Sequence, residues 1–228
     1  MSGFLGILML DTRFERIIGD AGNPASYPVE ARCRVIPGAG STEIVRDGRP
    51  AEALVERFID AARALEAEGA AALVSTCGFL VTVQAEIAGA VRIPVCLSAL
   101  SLLPSIRLLH AGRRIGVLTA SRPSLGVAAL AAAGVRPEEV AIAGMEGCAG
   151  FAASFLRPVD QQALQLDRAA VEAGAIEAAR SLVAAAPDLG AIVLECGNLP
   201  PYARAIAKAT GRPVYSILDA ARLMLGAA

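Results

Sequence analysis

Along the chain, short uninterrupted apolar runs alternate with longer stretches in which apolar residues recur every three or four positions. Runs of four to eight apolar residues read as strands buried on both faces, and the intervening period reads as helix. Strands are predicted over residues 4–10, 32–37, 71–76, 93–97, 114–119, 140–144, 191–195 and 213–216. Between the second and third, Pro50 to Glu68 places Leu54, Val55, Phe58, Ile59, Ala62 and Leu65 on one face and Glu56, Arg57, Arg63 and Glu66 on the other, an amphipathic helix. A second long helix is predicted from Asp160 to Ala186, stopped by Pro187. Strand and helix in alternation predict βαβ units and a parallel sheet, an α/β protein.

The pattern also repeats. Placing Cys77 on Cys196 requires an offset of 119 residues, and the same offset carries Ile87 onto Ile206, Ala90 onto Ala209, Pro94 onto Pro213 and Val95 onto Val214. Upstream, Gly6-Ile-Leu-Met parallels Gly116-Val-Leu-Thr at a shift of 110, so the two copies differ in loop length. Two pseudo-symmetric, doubly wound parallel-sheet domains are therefore expected, with the active site in the cleft between them. The first would span residues 1–100 and be completed by 212–228; the second would span 101–211.

Composition narrows the partners. Hydrophobic residues make up 55% of the 228 and Trp is absent, with a mean hydropathy of +0.54, as suits a buried sheet under Ala-rich helices. The formal charge is −1 and Lys and Arg are scattered, which excludes the electrostatic footprint of a nucleic-acid or membrane-surface binder and leaves a small molecule as the expected ligand. Gly3 to Leu10 is too short and too poorly flanked for a signal peptide, and charged residues interrupt every longer apolar stretch, so no membrane span is expected. Five unclustered cysteines argue for reduced thiols and a cytoplasmic location. A lone histidine, His110, and the absence of CxxC speak against zinc, and no phosphate-binding glycine motif occurs, so no cofactor is expected.

The chemistry concentrates at Cys77 and Cys196, each just past a buried strand and each followed by glycine. Ligands of open α/β sheets bind beyond the carboxyl ends of strands. A thiol there, at a helix N-terminus, is expected to have a lowered pKa, and the uncovered backbone of Gly78 and Gly197 can approach a carboxylate or enolate. Two such thiols on opposite sides of a cleft fit removal of a proton from one face of a carbon and its return to the other. The plainer reading is that both are small buried hydrophobes, and Cys33, Cys96 and Cys148 are read that way.

The segments Ser75-Thr-Cys-Gly-Phe79 and Glu195-Cys-Gly-Asn-Leu-Pro-Pro-Tyr202 make the chain resemble the aspartate/glutamate racemase superfamily, which includes hydantoin racemases, arylmalonate decarboxylases and maleate isomerases. The resemblance implies a cofactor-independent racemase or epimerase acting on an amino-acid-like or hydantoin-like substrate, with Cys77 and Cys196 as paired acid and base and, by family habit, a homo-oligomer. The Asp-Ser-Gly pattern of glutamate racemases is replaced by Asp11-Thr-Arg13, which points away from that subfamily. Maleate-type isomerisation, arylmalonate-type decarboxylation and a non-catalytic binding module stay open. Further candidates at strand ends are Asp11, Thr12 and Arg13, the last as a bidentate carboxylate clamp; Ser75, Thr76, Thr119 and Ser121 as hydroxyl donors; and Asn198 and Tyr202 beyond the second cysteine. Phe79 is a candidate pocket wall, and Tyr27 sits in a candidate lid loop.

Overall fold

A computed structural model describes residues 3–226. Among them, eight strands form two four-stranded sheets: β1 (Phe4–Leu10), β2 (Ala31–Ile36), β3 (Ala70–Ser75) and β4 (Val95–Cys96) in the order β2-β1-β3-β4, and β5 (Ile115–Thr119), β6 (Val140–Gly144), β7 (Ala191–Leu194) and β8 (Val214–Tyr215) in the order β6-β5-β7-β8. Every pairing is parallel. The second sheet repeats the topology of the first strand for strand, an α/β architecture in two pseudo-symmetric halves.

The central strands are apolar because both faces are covered: β1 and β3 lie under α2 (Glu52–Ala67), which buries Val55, Phe58, Ala62 and Leu65 at the spacing the sequence predicts. α7 (Arg168–Ala185) covers β5 and β6 in the second half. It begins eight residues later than the predicted start at Asp160. Asp167 caps it by accepting from the Ala170 N–H at 3.0 Å, and Gln162 turns inward instead, accepting from the Arg13 N–H at 2.9 Å and donating to Ser41 Oγ at 3.3 Å. Short helices complete the layers: α1 (Ser41–Ile44), α3 (Gln84–Gly89), α5 (Val127–Ala132), α6 (Ala149–Phe155) and α8 (Ala203–Thr210).

β4 and β8 are shorter than predicted for a shared reason. Pro94 and Pro213 lack an N–H, so each enters its ladder through its carbonyl alone, accepting from Leu73 at 2.9 Å and from Ile192 at 2.8 Å respectively. After β4 the chain crosses to α4 (Leu103–Leu109), which packs on β5 of the second half, and after β8 it crosses to α9 (Ile217–Leu225), which packs on β3 of the first. Residues 212–228, expected to complete the first domain, divide between the halves: β8 joins the second sheet and α9 packs on the first, while residues 227–228 lie outside the described part. No helix among the described residues is long and apolar enough to cross a membrane.

Candidate active site

β3 and β7 end opposite one another, and the residues just beyond them, Cys77 and Cys196, pair as an isolated antiparallel β-bridge between the two halves. This contact explains the glycines. A Cβ at Gly78 would run into the carbonyl oxygen of Glu195, and a Cβ at Gly197 into that of Thr76. Gly78 and Gly197 thus have a steric role that the sequence did not suggest: they let two backbones cross in contact.

Over this floor lies a narrow cleft with a cavity volume of only about 20 Å³, lined by both cysteines, Thr76, Glu195, Asn198, Leu10, Phe14, Val45, Ala120 and Phe155. Among the described residues that line it, Arg16 alone carries a positive charge. Its Nη1 donates to Asp20 Oδ1 at 2.7 Å and its Nη2 to Thr12 Oγ1 at 2.9 Å, and its guanidinium stacks 4.7 Å from the centre of the Phe14 ring. Donors remain for a ligand carboxylate. Asp20 Oδ2 accepts from Asn198 Nδ2 at 2.7 Å, and Asn198 Oδ1 accepts from the Cys196 thiol at 3.4 Å. A continuous chain of contacts thus runs from Thr12 and Arg16 in the first half to Cys196 in the second.

Not all predicted residues meet here. Thr76 and Asn198 line the cleft beside the cysteines, as does Thr12. Arg13 points to solvent and contributes only its backbone N–H; Arg16, one helical turn further on, takes the place expected of it. Asp11 accepts from the Gly38 N–H at 3.1 Å and staples a loop. Ser75 clasps the turn around the first cysteine, donating to the Leu97 and Cys77 carbonyls and accepting from the Cys77 N–H. Thr119 donates to Glu195 Oε2 at 2.8 Å. Ser121 pairs with Ser124 at 2.9 Å in an adjoining recess that shares Ser41 and Val45 with the cleft. Tyr202 is packed away with its hydroxyl unpartnered, Phe79 lies beneath the loop, and Tyr27 is buried with its hydroxyl donating to the Ala21 carbonyl at 2.8 Å, which anchors the supposed lid. Among the described residues, no cluster of three acidic, His or Cys side chains could hold a metal ion.

The thiols also behave differently from expectation. Cys77 opens a six-residue 3-10 turn, Gly78–Val83, and Cys196 precedes a turn and a second 3-10 segment, Pro200–Tyr202, so neither meets the aligned dipoles of a long α-helix. Burial pushes both thiols up from their ordinary value, and the neighbouring Glu195 pushes them further. A backbone N–H pulls each partly back, that of Phe79 at Cys77 and that of Asn198 at Cys196; the charge of Arg16 lowers Cys77 further, whereas Cys77 and Asp20 add to the rise at Cys196. Glu195 itself is pushed up to about 7 by burial, which hydrogen bonds from Thr119 and from the Ala120, Gly78 and Phe79 N–H groups only partly offset. Glu195, Arg16 and Asp20 were absent from the predicted site. The signal for Glu195 lay in the repeat, which sets an acidic residue at the end of an apolar strand onto Thr76.

The sequence matches the profile of the Asp/Glu/hydantoin racemase family over residues 14–225. The chain belongs to this family. Within it, the chain is 32% identical over 227 residues to a dimethylsulfoniopropionate lyase of Durusdinium sp. clade D, an alignment covering 95% of this chain and 72% of the relative. It is 31% identical over 230 residues to dimethylsulfoniopropionate lyase 3 of Emiliania huxleyi (strain CCMP1516), covering 97% of this chain and 58% of that protein. It thus spans just over half of the latter's length. Among solved structures, a mutant of arylmalonate decarboxylase with a sulfate ion superposes with a TM-score of 0.64 at 19% identity, covering 99% of this chain and 94% of that one. The allantoin racemase of Klebsiella pneumoniae superposes with 0.63 at 16% identity, covering 99% and 87%. At such identities the superpositions establish the shared fold of this racemase-family member.

Proposed function

We propose that this racemase-family protein is a carbon–acid lyase, which removes the proton next to a carboxylate and expels a substituent from the neighbouring carbon. The observation that carries the reading is the meeting of Cys77 and Cys196 on the floor of a small, mostly apolar cleft whose single cationic wall residue is Arg16. Arg16 holds the carboxylate. Cys77 is the base, because the charge of Arg16 favours its thiolate whereas that of Asp20 disfavours the one at Cys196, and Cys196 is held as a thiol by donation to Asn198. The proton passes to the Cys77 sulfur, the released electron pair forms the carbon–carbon double bond, and the leaving group departs with its bonding electrons.

The lyase relatives supply the substrate class, a 3-sulfoniopropionate. A carboxylate at one end suits Arg16; an onium group at the other suits an aromatic wall, here Phe14 and Phe155 in edge contact with centroids 4.7 Å apart. The products from dimethylsulfoniopropionate are dimethyl sulfide, acrylate and a proton. Proton NMR of the reduced protein with this substrate in D₂O tests the reading: vinyl signals of acrylate that vanish with Cys77→Ser are expected, and their absence at high enzyme concentration overturns it.

One observation favours a second reading, racemisation of an amino-acid-like or hydantoin-like carbon acid. The two cysteines come from equivalent positions of the two halves, as two-base inversion requires. Loss of the α-proton signal from a single enantiomer of aspartate or a 5-substituted hydantoin, dependent on both thiols, would identify it.

A further inference from the structure

Beneath the cysteines lies a third acid that the elimination step leaves unused. The Glu195 side chain packs against Gly78, in the turn that also carries Cys77. Its Oε2 is fixed by Thr119 Oγ1 at 2.8 Å and the Ala120 N–H at 3.2 Å, while its Oε1, packed against Gly78, is buried without a fully formed hydrogen bond, the Gly78 and Phe79 N–H groups lying close enough to favour the carboxylate. A buried carboxyl oxygen left in this way carries a desolvation cost that a proton or a donor relieves. The ionisable groups facing this floor are Cys77 and Cys196, with Arg16 and Asp20 beyond them from the loop after β1. We propose that Glu195 takes and holds the proton of the Cys77 thiol while the thiolate acts, a positioning residue that works through the cysteine.

The inference rests on the reading of Cys77 as the base. The S–H bond of Cys77 breaks and an O–H bond forms on Glu195, so the floor keeps a single negative charge that moves from carboxylate to sulfur. The thiolate then removes the substrate proton and becomes a thiol again. Elimination from a sulfonium zwitterion liberates one proton overall, and the one left on Glu195 is that proton, lost to solvent as the site resets. Burial supports the single charge: each acid on the floor is pushed up, and Glu195 raises both thiols, so a second negative charge is opposed.

The test needs no substrate. The rate of Cys77 alkylation by iodoacetamide, followed peptide by peptide by mass spectrometry, should show a step near neutral pH in the wild type, where the shared charge first appears, and a second rise in alkali. Glu195→Gln should lose the step and react at least about tenfold more slowly at pH 8. A Gln variant that reacts as fast or faster overturns the proposal, because a carboxylate acting only as a neighbouring charge suppresses the thiolate and its neutralisation would release it. A wild-type profile with one alkaline rise overturns it without any variant. Since alkylation is read without turnover, failure of the elimination reading leaves this outcome separately visible.

Discussion

The two halves of the molecule place different residues at one equivalent point. In the first, the Leu10 N–H donates to Thr76 Oγ1 at 3.1 Å; in the second, the Ala120 N–H donates to Glu195 Oε2 at 3.2 Å. The backbone around them matches as well, with the Thr76 N–H on the Leu8 carbonyl at 3.2 Å and the Glu195 N–H on that of Leu118 at 2.9 Å. A fold repeated this closely has put a neutral hydroxyl before one cysteine and a carboxyl before the other. The shells above diverge too: both thiols have a backbone N–H nearby, but Cys196 is also tied through the Asn198 and Asp20 side chains to Arg16, and Cys77 has no comparable side-chain tether. Symmetry of scaffold and asymmetry of charge thus coexist at the floor.

The comparison can be broken at its centre. Cys77→Ser is expected to lower turnover by about a thousandfold, within the usual range for a lost base, and Cys196→Ser by much less, since elimination needs one base; steady-state rates of the two variants check the difference, and losses of similar size would favour two-base inversion. The tether is next. Asp20→Asn leaves the buried Arg16 guanidinium without its carboxylate, and about 3 kcal/mol of stability should be lost, read as a lower denaturation midpoint in urea. Glu195 then separates the halves by pH. Its folded pKa of about 7 stands above its ordinary 4.5, so its contribution is fully present below pH 4.5 and is lost as pH rises through 7. Wild type should therefore lose about 3 kcal/mol over that window relative to Glu195→Gln, measured by denaturation at pH 4.5 and pH 8. The smallest effect is expected at Arg13→Ala, within about 0.5 kcal/mol and with kcat/KM unchanged, since that side chain faces solvent.

Much of this architecture could be read from the chain before any coordinates. Uninterrupted apolar runs are a strong signal for parallel strands, and the offset that joins Cys77 to Cys196 also joins Pro94 to Pro213, which do the same work at the ends of their ladders. Loops carried less information. Arg13 and Arg16 differ by one turn of an irregular segment, and only the path taken after β1 decides which guanidinium faces the cleft. The thiols were misjudged because the sequence shows a residue before a helix-like stretch, while the tight 3-10 geometry and near-complete burial that outweigh a dipole are tertiary facts. Glu195 was visible inside a motif, but its burial depends on contact with Gly78 from the other half.

That contact has a mechanical side. Because the backbones of Cys77 and Cys196 are paired to each other, the two halves are joined at the very residues that carry the sulfurs, in addition to the contacts made by Phe14 with Phe155 and by Gln162 with the loop after β1. The spacing of the two thiols is thereby set by main-chain pairing and not by the side chains that wall the entrance.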